Sequence, residues 1–114
     1  MKDEQVYLSH IISRCERIIE ITASSTYESF LKDRDTQDIM IRSFEIIGEA
    51  TTHFSEEFKK NHPKLLWKEM HVFRNVLIHQ YFRLDLQEIW SIASSDIPEV
   101  YIQAKLLLDE LEQA

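Results

Sequence analysis

One glycine and two prolines in 114 residues leave few positions for tight turns, hairpins or extended loops. Helices joined by short connections are therefore favoured over a sheet. A single cysteine, Cys15, excludes an intrachain disulfide and a cysteine-based zinc site, and it suits a reducing, cytoplasmic setting. Apolar runs are short, as at Val76 to Ile78 and Leu106 to Leu108. A bilayer span needs roughly 20 such residues, so no transmembrane helix and no membrane partner are expected. The first residues, Met1-Lys2-Asp3-Glu4-Gln5, lack the basic and apolar regions of a secretory signal. No glycine-rich phosphate loop and no nucleophilic serine or cysteine motif is present.

Positive charge is also scarce: 13 Lys/Arg against 20 Asp/Glu give a net charge of −7. Such a balance disfavours a generally nucleic-acid-binding surface. Its distribution is uneven, however. Between His53 and Arg83 six basic residues (Lys59, Lys60, Lys64, Lys68, Arg74, Arg83) face three acids (Glu56, Glu57, Glu69), a local +3, while the rest of the chain stands at −10. Four of the five histidines, His53, His62, His71 and His79, fall in the same window. An anionic substrate is expected there if anywhere, although clustering on a solvated helix face fits the charges alone equally well.

What the sequence has in quantity is helical periodicity. Val6, Leu8, Ile11, Ile12, Cys15, Ile18 and Ile19 recur at three-and-four spacing and predict a first helix over Gln5 to Ile21. Ser24 to Thr26 interrupt it, and Tyr27 to Leu31 fit a short helical turn. Asp33 to Thr36 offer N-capping side chains to a second long helix through Ile39, Met40, Phe44, Ile47, Ala50 and Phe54. Within it Gly48 costs about 1 kcal/mol against alanine, which points to the close approach of another helix. Ser55 caps a short helix ending near Pro63, and a third long helix starts near Leu65 or Leu66 and reaches about His79. A fourth begins after Asp85, with a break or kink expected near Ser94 to Asp96 because of Pro98, and further helix to about Glu112. The expectation is one all-α domain over residues 1–114, a bundle of four or five helices.

The third long helix carries the candidate chemistry. At about 100° per residue, Met70, Phe73, Val76, Leu77 and Tyr81 share one broad apolar arc, while Asn75 and His79 lie one turn apart on the other side, flanked by Val72 and Ile78. Arg74 adjoins Ile78 in the same register. A polar pair set among apolar residues suits a face that lines a cleft or meets another chain. On spacing alone, an arginine and a histidine five residues apart prove little and fit a structural or surface role better. His10, His53, His62 and His71 lack the paired carboxylate or close spacing of a metal site, so surface or capping roles are expected for them and no metal is assigned. Trp67 and Trp90 are assigned to the core.

The string from Trp67 to Asp85 (WKEMHVFRNVLIHQYFRLD), with Ile89-Trp90, Asp96-Ile97-Pro98, Arg42 and Glu45 to Ala50 (EIIGEA), closely resembles the HepT branch of the HEPN superfamily. The likeness spans roughly Val6 to Leu107 and keeps the order and spacing of the elements. Its signature, arginine, four to six residues and histidine, reads here as Arg74 to His79, extended by Tyr81 to the R-x4-H-x-Y form. Phe73 stands where that branch often has methionine, and Arg83, a second departure, is assigned no family role.

That resemblance implies a HEPN-type bundle that dimerises through the motif-bearing helix and acts as a metal-independent endoribonuclease toxin. Arg74 and His79 would be catalytic, Asn75 would position the RNA or orient the histidine, and RNA cleavage would need no cofactor. The implied partner besides a second copy is an MntA-like minimal nucleotidyltransferase, the antitoxin of a type VII pair, which uses ATP as donor to place AMP on Tyr81. Tyr81 equally fits a cleft or core aromatic with its hydroxyl satisfied locally. The alternative function is a non-catalytic helical partner of a nucleotidyltransferase.

Overall fold

A computed structural model describes residues 2–79 and 85–114. Among the described residues six helices and no strand occur: α1 (Lys2–Ser24), α2 (Tyr27–Leu31), α3 (Arg34–Thr51), α4 (Glu56–Asn61), α5 (Trp67–His79) and α6 (Leu86–Gln113). The expected all-α bundle is what the chain forms. α1 packs against α3 and α6, α5 packs against α3, and the short α2 bridges α3 and α6.

The apolar periodicity explains that packing. Leu8, Ile11, Cys15 and Ile18 of α1 are fully buried, as are Ile97, Val100 and Ala104 of α6 and Met40 and Ile47 of α3. Each stripe recurs at three or four residues, so one face of each long helix closes on the shared core. At the surface the Tyr101 hydroxyl donates to Glu16 Oε2 at 3.3 Å, joining α6 to α1. Gly48 is buried on α3, in keeping with a close approach there.

Helix ends follow local chemistry. α1 starts earlier than its apolar pattern because Asp3 and Glu4 suit the positive end of the helix dipole. It also ends later, at Ser24, whose hydroxyl donates to the Glu20 carbonyl at 2.9 Å. Thr26 and Ser29 form a reciprocal capping box on α2. Asp33 caps α3 through the Thr36 N–H, and Ser55 caps α4 through the Phe58 N–H. α3 stops at Thr51, short of the Phe54 expected from periodicity. Thr51 and Thr52 donate back to the carbonyls of Gly48 and Glu49 at 2.6 and 2.7 Å, occupying helix-end acceptors, and Phe54 reaches the core from the following turn.

Of the break or kink expected near Ser94 to Asp96 because of Pro98, the break is corrected by the structure, since α6 runs unbroken from Leu86 to Gln113 with the proline inside it. A proline in a helix costs about 3 kcal/mol. On either side, however, Ala93, Ile97, Val100 and Ala104 are all fully buried, and breaking the helix would withdraw that stripe from the core. Ser94, whose carbonyl loses its partner to Pro98, lies on the exposed side, where water can satisfy it.

Candidate active site

The backbone of α5 carries Arg74, Asn75 and His79 in its second half, and α5 ends at His79. Tyr81 lies outside the described residues, as does Arg83. The inner side of α5 is held by Met70, fully buried, and by Phe73, whose ring sits 5.3 Å from that of Phe44 on α3. These are core positions expected from the sequence.

The start of α5 is fixed by Trp67. Its buried indole lies 4.9 Å from the Phe54 ring, and Nε1–H donates to the carbonyl of His62 at 2.8 Å. His62, at the end of α4, is half-buried with its ring 4.5 Å from Phe58, which accounts for it as a structural residue. Trp90 is half-buried beside Phe30, at 5.1 Å, so both tryptophans serve packing as expected.

The outer side of α5 is open. Lys68, Glu69 and His71 are exposed, and Val72 retains 41% of its surface despite being apolar. In helical register Lys68, Val72, Asn75 and His79 fall within an arc of about 60°, so their backbone positions form a line along α5. Where this line begins, an open groove of about 730 Å³ lies between α4 and α5, with Lys59, Lys60, Lys68 and His71 in its walls. The sequence marked this stretch as locally basic but did not single out Lys60 or Lys68, because charge counting cannot say which cations share a surface.

A second cavity, of about 310 Å³, lies between α1 and α3. Tyr7 stacks on His53 at 4.0 Å in its wall, His10 meets Tyr7 edge-on at 5.6 Å, and Arg42 pairs with Glu45 at 3.2 Å. Sequence reasoning missed this aromatic pairing because Tyr7 and His53 are far apart in the chain. Among the described residues no group of three or more His, Cys, Asp or Glu could hold a metal. The thiol of Cys15 is pushed up to about 12 by burial, reinforced by the negative charge of Glu16, so it offers no thiolate near neutrality.

The family described as ribonuclease HepT-like matches residues 11–107. The chain belongs to the HepT-like ribonuclease family. It is 39% identical over 110 residues to a provisionally named RNase of Caldanaerobacter subterraneus subsp. tengcongensis, covering 96% of this chain and 98% of that protein. It is 42% identical over 94 residues to a "Probable ribonuclease HepT" of Thermococcus cleftensis, covering 82% and 86% respectively. A provisionally named RNase of Methanocaldococcus jannaschii is 35% identical over 111 residues, 97% of this chain and 92% of the relative. No solved structure gives a significant match. The matched span includes the whole of α5. No described helix is long and apolar enough to cross a membrane.

Proposed function

We propose that this chain is a metal-independent endoribonuclease that works as a homodimer in the cytoplasm, the toxin of a toxin–antitoxin pair. The observation that carries this reading is the Arg74-x4-His79-x-Tyr81 string of a HepT-like chain, with Arg74 to His79 on α5. Histidine titrates near neutrality, so His79 suits removal of the proton from a ribose 2′-OH. The 2′-oxygen then attacks the adjacent phosphorus, the bond to the 5′-oxygen breaks, and that oxygen leaves with a proton. A second copy of His79 across a dimer cleft supplies the proton, so one imidazole acts as base and the other as acid. Arg74 suits bidentate contact with the phosphate and offsets the charge that builds on its oxygens. Asn75 positions the RNA.

One observation supports dimerisation: the apolar Val72 keeps 41% of its surface exposed on α5. Control falls to an MntA-like minimal nucleotidyltransferase that transfers AMP from ATP to Tyr81. Negative charge two residues from His79 then opposes an incoming phosphate.

The test is cleavage of single-stranded RNA by the purified protein with EDTA present. His79→Ala and Arg74→Ala should each abolish it while circular dichroism stays unchanged. Full activity in either variant discards the assignment. A wild-type chain that binds a nucleotidyltransferase yet cuts no RNA is the non-catalytic subunit instead. Light scattering at micromolar concentration should give the mass of a dimer.

A further inference from the structure

The groove between α4 and α5 contains more positive charge than its own acids balance. Lys59 is paired with Glu56 at 3.5 Å, and its side chain is only 20% exposed. Those two groups neutralise one another. Lys60 and Lys68 are both exposed, and among the described residues neither is in an ion pair. Glu69 remains in the wall, with His71 beside it. In a chain of net charge −7 this concentration of free cations is a local exception.

Its position gives the charge a use. Lys68 opens the register line Lys68, Val72, Asn75, His79, and eleven residues of helix rise place His79 about 16 Å further along α5. That length lets one strand run from the groove to His79. Between the cations the groove is apolar, with Pro63 exposed and Leu66 half-buried. A duplex presents phosphates and hides its base faces, so it has little use for such a floor. A single strand offers both phosphates and unstacked bases.

We infer that this groove holds the flanking phosphates of a single-stranded RNA whose scissile bond lies at His79, with Lys60 and Lys68 as the phosphate contacts. The inference rests on the nuclease reading of α5 and extends it to the path of the substrate. Lys60 and Lys68 are positioning residues: they contact phosphates away from the reacting one, so they set affinity and leave the chemical step alone.

The probe is a fluorescent 12-nucleotide 2′-O-methyl RNA, which lacks the attacking hydroxyl and so reports binding without cleavage. Anisotropy titrations across a range of salt compare wild type, the double variant Lys60→Ala/Lys68→Ala, and Lys32→Ala as an exposed cation outside the groove. Each lost phosphate contact should reduce the log–log salt slope by about 0.7, or about 1.4 for the double variant. Binding near 0.1 M salt should weaken by roughly an order of magnitude, and Lys32→Ala should match wild type. With unmodified RNA the double variant should raise KM and leave kcat within about twofold. Equal affinity and slope in wild type and double variant overturn the groove, as does an equal loss in Lys32→Ala or a fall in kcat at constant KM. If the 2′-O-methyl strand binds through Lys60 and Lys68 but wild type cuts no RNA, the nuclease reading fails and the groove stands. If wild type cuts RNA and the double variant behaves identically, the groove alone fails.

Discussion

The indole N–H of Trp67 donates to the main-chain carbonyl of His62 at 2.8 Å, which ties the first residue of α5 to the C-cap of α4. This bond fixes the start of the helix that bears Arg74 and His79, and it also sets one end of the basic groove. Trp67→Phe keeps an aromatic ring against Phe54 but leaves the His62 carbonyl without this donor. We predict a loss of about 1–2 kcal/mol from the missing hydrogen bond and the smaller ring. Thermal unfolding followed by circular dichroism measures it, and a variant as stable as wild type would show that the bond contributes nothing.

Asp33 supplies a pH dependence. Its carboxylate accepts from the Thr36 hydroxyl at 2.7 Å and from the Thr36 N–H at 3.2 Å, which holds it below the ordinary carboxylate value. A lowered folded-state pKa means the capping contribution is fully present above the unfolded value of about 3.9 and is lost as pH falls through the lower folded value. Asp33→Ala should therefore reduce Tm at pH 7, with the gap to wild type closing below about pH 4. Asp33→Asn should keep the cap and lose that dependence. A gap that stays constant from pH 7 to pH 2.5 contradicts the prediction.

Much of this fold was legible because helical periodicity and capping act over a few residues. The stripe from Leu8 to Ile18, the Asp33 and Asp85 caps and the short helix at Tyr27 were all readable from neighbours in the chain. The break near Pro98 was wrongly expected because the proline's cost is local while the burial that outweighs it, from Ala93 to Ala104 against the core, is tertiary. The early stop at Thr51 was missed because a threonine hydroxyl that bonds a carbonyl three residues back competes with a helix its apolar pattern would continue. At the site, composition located the basic window, and resemblance selected Arg74 and His79 from within it. Neither could separate Lys59, bound to Glu56, from the unpaired Lys60 beside it, because that distinction depends on which side of α4 meets the groove.

Cys15 should be chemically silent in the folded protein. Burial first, and Glu16 second, push its thiol up to about 12, so almost no thiolate exists at pH 8 and the sulfur is closed to reagents. Ellman's reagent should give no reaction under native conditions and one thiol per chain in guanidinium. Stoichiometric labelling of the native protein would mean that α1 leaves the core readily at this point.

Regulation yields the last prediction, and it concerns Tyr81, which lies outside the described residues and is assigned by the motif alone. With the cognate minimal nucleotidyltransferase, ATP and magnesium, the chain should gain mass in whole AMP units and lose RNase activity. The first AMP joins the tyrosine oxygen to phosphorus with loss of the phenolic proton and of pyrophosphate from ATP, any further AMP joins a ribose hydroxyl of the one before, and a negative phosphodiester is left two residues from His79. An RNA phosphate approaching Arg74 and His79 then meets like charge at short range, where screening by salt is least effective. Tyr81→Phe lacks the acceptor oxygen and none of the groups assigned to cleavage, so it should cut RNA at close to the wild-type rate and escape the antitoxin's enzymatic control. Intact-mass spectrometry paired with the cleavage assay separates the possibilities. No mass gain in wild type, or an equal gain in Tyr81→Phe, ends the regulatory reading even where RNA cleavage by Arg74 and His79 survives.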